Sequence, residues 1–108
     1  MTDTPAPPNA ATALTVTSDD GSLVLVGELD MATVPVLRAA LHAAVDAGAG
    51  RLVIEMSGVA FMDSSGLREL ISFHRDAGAF TLRNPSPSVV RILELTQSGG
   101  VFDIEVDS

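Results

Sequence analysis

The sequence predicts a single α/β domain: a mixed, mostly parallel β-sheet that opens with an antiparallel hairpin and is packed with helices, in the order β-β-α-β-α-β-α-β. Three observations carry this. Short β-branched apolar segments alternate with stretches whose apolar residues recur at helical spacing. An Asp-Gly turn joins the first two strands. A helix of about fourteen residues then separates the second strand from the third, which suggests a right-handed parallel crossover. With 108 residues, the chain has room for one domain and no internal repeat.

Residues 1–12 hold three of the six prolines and no large apolar residue after Met1, so a mobile tail is expected there, with the domain spanning 13–108. Leu14-Thr15-Val16-Thr17 alternates as a half-buried strand does. Asp19-Asp20-Gly21-Ser22 supplies the turn, and Leu23-Val24-Leu25-Val26, apolar on both faces, reads as a covered or central strand. In Gly27-Glu28-Leu29-Asp30-Met31-Ala32-Thr33-Val34-Pro35, the proline belongs in a first helical turn because it cannot donate a backbone hydrogen bond. Thr33 as N-cap meets that constraint, which leaves Asp30 at the corner without a capping duty. Val34, Leu37, Leu41 and Val45 form the inner stripe of the first helix, with Arg38, His42 and Asp46 opposite, until Gly48 and Gly50 end it.

Arg51–Met56 is a buried-type third strand, followed by a loop over Ser57–Gly66. The second helix covers about residues 65–77, with Leu67, Leu70, Ile71 and His74 inward and Arg68, Ser72, Arg75 and Asp76 outward. Gly78 stops it. Phe80-Thr81-Leu82 is a short strand. Asn84-Pro85-Ser86-Pro87 opens the third helix, with Ser86 as N-cap, Pro87 in the first position and Val89, Ile92, Leu93 and Thr96 inward. Gly99-Gly100 ends it. Phe102, Ile104 and Val106 then alternate with Asp103, Glu105 and Asp107 in a last strand.

Fourteen acidic side chains against six basic give a formal net charge of −8. Nucleic-acid binding draws most of its affinity from cations on phosphates, so this balance argues against it, and against anionic membrane surfaces. The absence of cysteine removes disulfides, thiolate chemistry and Cys-based zinc sites. No apolar run approaches the roughly 20 residues of a membrane span. The first residues lack the pattern of a signal peptide, so a cytoplasmic location is expected.

Conventional enzyme constellations are thin. Ser64 and Ser65 lack the G-x-S-x-G setting of a nucleophile elbow. His42 reads as a solvated side chain and His74 as a half-buried, hydrogen-bonded core histidine. Neither has the spacing of a metal ligand, and the glycines match no phosphate cradle. No catalysis, metal or cofactor is expected. The informative segment is Phe61-Met62-Asp63-Ser64-Ser65-Gly66-Leu67, which places paired hydroxyls at a helix N-terminus. Spacing alone makes it an ordinary helix entry. A phosphoryl group on Ser64 would add about −1.5 to −2 charge there, beside Asp63.

This segment, together with Gly27-Glu28-Leu29-Asp30 some 33 residues upstream, closely resembles the anti-sigma factor antagonist family, whose fold is the STAS domain. The Asn84-Pro85-Ser86-Pro87 entry and the Leu93-Glu94-Leu95-Thr96 run are similar to that family too, so the likeness covers residues 14 to about 106. It implies a partner switch. The unphosphorylated antagonist binds a serine kinase that doubles as an anti-sigma factor, which frees the sigma factor. Phosphorylation of the first serine of the motif, here Ser64, dissolves the complex, and a metal-dependent serine phosphatase restores it. The resemblance implies partner contact at Asp30, Asp63, Ser64, Ser65 and Gly66, to which Arg68 on the same helix turn is added as this chain's own contact residue, with ATP and Mg²⁺ belonging to the kinase. A monomer is expected. Arg68 departs from the family, which usually has glycine there; it reads as an exposed helix arginine near Asp63 or Ser72, or, four residues beyond Ser64, as one that reaches back toward a phosphate or obstructs a partner. The competing readings are a STAS scaffold or ligand-sensing interaction module without the switch, and a small hydrolase using Ser64 or Ser65.

Overall fold

Five strands lie side by side in sequence order in one sheet. A computed structural model describes residues 13–19, 21–48, 51–78 and 80–107; the tail expected over 1–12 lies outside these. The elements are β1 (Thr15–Asp19), β2 (Ser22–Leu29), α1 (Val34–Asp46), β3 (Leu52–Met62), α2 (Ser64–Ala77), β4 (Phe80–Arg83), α3 (Pro87–Leu95) and β5 (Asp103–Glu105), with a 3₁₀ turn at Gly99–Val101. β1 and β2 are antiparallel, in a register that closes with Asp19 opposite Ser22. Gly21 between them adopts φ 85°, the conformation that the Asp-Gly sequence was read to require. All other neighbouring pairs are parallel.

The helices cover one face of this sheet. Leu23, Leu25, Ile54, Met56, Phe80 and Leu82 meet Leu37 and Leu41 of α1, Leu67, Leu70 and Phe73 of α2, and Val89 and Leu93 of α3 in one continuous core. The opposite face, with Thr17, Val24, Glu55, Arg83 and Asp103, is half-buried to exposed except at Thr81, which is buried beneath the Arg51 side chain. β2 is therefore central but not covered on both sides: Val26 is 50% exposed.

β3 corrects the expected loop over 57–66, because the strand runs on to Met62. Its pairing with β2 slips between Val24 and Val26 and again between Gly27 and Glu28, each slip adding one residue to β3. Such bulges break the two-residue alternation, so Met56, Val59 and Met62 are buried three apart. A spacing of three does not read as a strand.

Thr33 precedes α1 as expected, yet its hydroxyl caps no helical N–H. It donates to the Glu28 carbonyl and accepts from the Asp30 N–H, both at 2.9 Å. Val45 is exposed rather than inward, because the packed stripe of α1 runs through Leu37, Ala40, Leu41 and Ala44 and leaves Val45 to one side. His42 is exposed too, but its ring meets Phe73 edge-on at 5.9 Å, and Arg38 pairs with Glu69 at 2.9 Å, so this polar face borders α2. Phe73 joins the buried stripe of α2. His74 is half-buried between Phe80 and Phe102, and its Nδ1 accepts the Phe80 N–H at 3.4 Å. Ser86 caps α3, with Pro87 in its first turn. The helix ends at Leu95, before Gln97 turns to φ 55°; Gly99 and Gly100 belong to the 3₁₀ turn. Phe102 is buried, but Ile104 and Val106 are exposed, because β5 is a short edge strand beyond the cover of α3.

Candidate functional site

β2 and β3 run parallel and end opposite one another, Leu29 against Met62. The residues that follow, Asp30 and Asp63, therefore leave the sheet side by side at the same edge. Ladder geometry alone brings the two motifs of the sequence together. Asp63 N–H extends the pairing by donating to the Leu29 carbonyl at 3.1 Å.

Each aspartate is occupied by its own turn. Asp30 Oδ1 accepts from the N–H groups of Ala32 at 3.0 Å and Thr33 at 3.1 Å. Asp30 does not cap α1, whose N-cap position is Thr33, but it holds the turn that leads into the helix, and its Oδ2 makes no hydrogen bond among the described residues. Asp63 is the N-cap of α2, with Oδ1 accepting from Ser65 N–H at 2.8 Å and Gly66 N–H at 3.2 Å. An anionic cap suits both the unpaired donors and the positive end of the helix.

Gly66 sits directly on Leu29. A β-carbon there would lie 2.6 Å from Leu29 Cγ and 2.9 Å from its carbonyl oxygen. The glycine allows α2 to dock its first turn on the end of β2, which leaves Ser65 half-buried and Ser64 exposed. The Ser64 hydroxyl makes no hydrogen bond among the described residues.

Ser64 stands on the ridge between two grooves. One, of about 480 Å³, is bordered by Ser64, Arg68, Ser72 and Arg75 of α2 and by Thr96 and Ser98 beyond α3. The other, of about 320 Å³, is bordered by Phe61, Asp63 and Ser64 on one side and Ser88, Arg91 and Leu95 on the other. Arg68 is exposed and joins no ion pair among the described residues, with neither Asp63 nor Ser72 bonded to it.

Sequence reasoning missed the apolar rim. Met31 beside Asp30 is 75% exposed, Leu95 is 72% exposed and Phe61 is 46% exposed. Leu95 was legible as a large apolar residue off the inner stripe of α3. Phe61 became so only with the bulged strand. Among the described residues no group of three His, Asp or Glu side chains could hold a metal ion, and no helix is long and apolar enough to cross a membrane.

Comparison with known proteins places this arrangement. Residues 12–103 match the family model described as "Mlab, STAS domain". The anti-sigma-B factor antagonist of Bacillus subtilis is 30% identical over 94 residues, which cover 83% of this chain and 85% of that protein. An anti-sigma factor antagonist from Mycobacterium paratuberculosis, solved by crystallography, superposes with a TM-score of 0.70 at 32% identity, over 85% of this chain and 83% of the other. The Bacillus cell fate determinant SpoIIAA, solved in its phosphorylated form, gives 0.61 at 25% identity, over 88% of this chain and 91% of the other. With the motif, the sheet order and these relatives in agreement, the chain belongs to the STAS-domain family of anti-sigma factor antagonists.

Proposed function

We propose that this chain binds a serine kinase that acts as an anti-sigma factor, and that phosphorylation of Ser64 ends the binding. The observation that carries the reading is the Ser64 hydroxyl itself, exposed and unbonded at the first residue of a helix whose position is fixed from below. A kinase needs an acceptor that enters its active site without local unfolding, and this one protrudes. A relative solved in a phosphorylated form supports the same reading.

In the forward step Ser64 Oγ attacks the γ-phosphorus of ATP held by the kinase. The Oγ–P bond forms, the bond from that phosphorus to the bridging oxygen breaks, ADP leaves, and the hydroxyl proton passes to a base of the kinase. A metal-dependent phosphatase reverses the state: water attacks phosphorus, the Oγ–P bond breaks and inorganic phosphate departs. ATP and metal belong to the partners, and the chain catalyses nothing itself. Asp30 Oδ2, beside the acceptor loop, is available to a cation of the kinase. The whole exchange takes place in the cytoplasm, with the chain a monomer.

The sign of the switch follows from charge. A dianion added beside Asp63 meets the docked partner at close range, and each 1.4 kcal/mol lost there weakens binding about tenfold. The test is the intact mass of the protein isolated from its own cells, for wild type and Ser64→Ala. One phosphoryl adduct in wild type and none in the variant is the expected result. No adduct under growth or stress overturns the switch and leaves the unswitched scaffold as the better reading.

A further inference from the structure

The six cationic side chains of this chain are all arginines, set against fourteen carboxylates. Four of them are paired: Arg38 with Glu69, Arg51 with Asp103, Arg75 with Asp76 and Arg83 with Glu55. Arg68 and Arg91 join no ion pair among the described residues, although carboxylates outnumber cations more than twofold. These two arginines border the two grooves that meet at Ser64, Arg68 on one side and Arg91 on the other. Glu69, next to Arg68, is engaged by Arg38, and Asp63, next to Ser64, is held by Ser65 N–H and Gly66 N–H as the helix cap.

We propose that Arg68 and Arg91 close on the phosphoryl group of phosphorylated Ser64 from opposite sides, forming a clamp within the chain. The inference rests on the phosphorylation reading above and adds its internal regulation. Arg68 lies one helical turn beyond Ser64, the separation at which side chains on a helix surface meet. Arg91 comes from α3 across the second groove. A guanidinium matches phosphate geometry with paired donors, so two of them supply up to four charge-assisted hydrogen bonds to three oxygens. Asp63 opposes the clamp by repulsion. Arg75, at the far end of the first groove, is engaged by Asp76. Ser72 adds a neutral donor at the wall of the first groove, whereas the Ser88 hydroxyl is spent on the Ala60 carbonyl at 2.8 Å. The clamped dianion is partly neutralised and shielded, so the phosphorylated state resists hydrolysis and outlasts a brief pulse of phosphatase.

The test encodes phosphoserine at position 64 genetically, which needs no kinase, and follows its second ionisation by ³¹P NMR titration. The variants Arg68→Gly and Arg91→Ala are each expected to raise that pKa by about 0.7 unit or more, the effect of one hydrogen-bonded charge about 4 Å away even in the dielectric of bulk water. The double variant raises it by about twice as much, Arg68→Lys keeps most of the effect, and high salt shrinks all the differences. Shifts below 0.1 unit in both single variants, or a shift in only one, overturn the clamp. An arginine-dependent shift in the encoded phosphoprotein, with no adduct in cells, would sink the phosphorylation reading and leave the clamp standing. The converse result would sink only the clamp.

Discussion

Replacing Gly66 by alanine tests whether the acceptor helix is seated as described. Two terms compete. Alanine in a helix is favoured over glycine by about 0.5–1 kcal/mol, because glycine loses more backbone freedom on folding. Gly66 is not among the positive-φ glycines of the chain, so alanine meets no backbone penalty there. Against this, the new methyl lies 2.6 Å from Leu29 Cγ and 2.9 Å from Leu29 O. Leu29 is fully buried and its carbonyl already accepts Asp63 N–H, so neither atom can yield freely. Overpacking of this kind costs about 1–3 kcal/mol, and the crowded carbonyl places this case in the upper half of that range. The net expectation is a loss of about 1–2 kcal/mol, a fall of about 4–8 °C in Tm for each kcal/mol in a domain near this size. Urea denaturation should report it as a lower midpoint at unchanged slope. Gly99→Ala is the control: its β-carbon meets nothing within 4 Å, and it should be neutral or slightly stabilising. If Gly66→Ala proves as stable as wild type, α2 does not rest on Leu29 and the account of the acceptor loop fails.

Two further outcomes follow from hydrogen bonds on either side of the sheet. Ser86 is buried; its hydroxyl donates to the Val59 carbonyl at 2.6 Å and accepts Val89 N–H at 3.4 Å. Ser86→Ala should cost about 1–3 kcal/mol in the same denaturation assay, since a buried acceptor and a helix N-terminus both lose a partner; a loss below ~0.5 kcal/mol would contradict that geometry. On the open face, burial works to raise the Glu55 carboxyl pKa. The hydrogen bonds from Ser57, Arg83 and Asn84 and the Arg83 charge outweigh it and hold the carboxyl below its ordinary value. A folded pKa below the unfolded one contributes stability above the unfolded value, about 4.3 for Glu, and loses it as pH falls through the folded value. The stability gap between wild type and Glu55→Gln should therefore narrow on acidification below that value. A gap that stays constant from neutral pH to full protonation would refute the linkage.

What the residues disclosed and what they withheld divides along physical lines. Local backbone chemistry was legible: the Asp-Gly turn, the Ser86-Pro87 helix entry and the helical N-terminus after Asp63 are each fixed by a few adjacent residues. The fold class followed from element order. β3 was truncated because its two bulges are set by pairing with β2, and nothing within β3 itself announces them. Val45 was placed on the inner stripe because it follows Leu41 at helical spacing, but the packed stripe passes through Ala40 and Ala44, whose small side chains do not stand out in an apolar pattern. At the site, the motif marked Ser64 and Asp63, whereas the seat beneath them joins Leu29 to residues 34 and 37 positions away. Arg91 lies further still, on another helix, and only the grooves reveal that it borders Ser64.

The docking of α2 on Leu29 separates positions that must stay from positions that can change. Leu29 O, Asp63 Oδ1 and Gly66 determine where the serine stands, while Met31, Phe61, Arg68 and Leu95 are exposed and take no part in that seat. Substitutions at exposed positions away from special contacts usually change stability by within about 0.5 kcal/mol. The rim can therefore be rewritten while the acceptor keeps its place. On the proposed function, changes at a handful of such exposed residues alter which partner fits the rim without moving the serine.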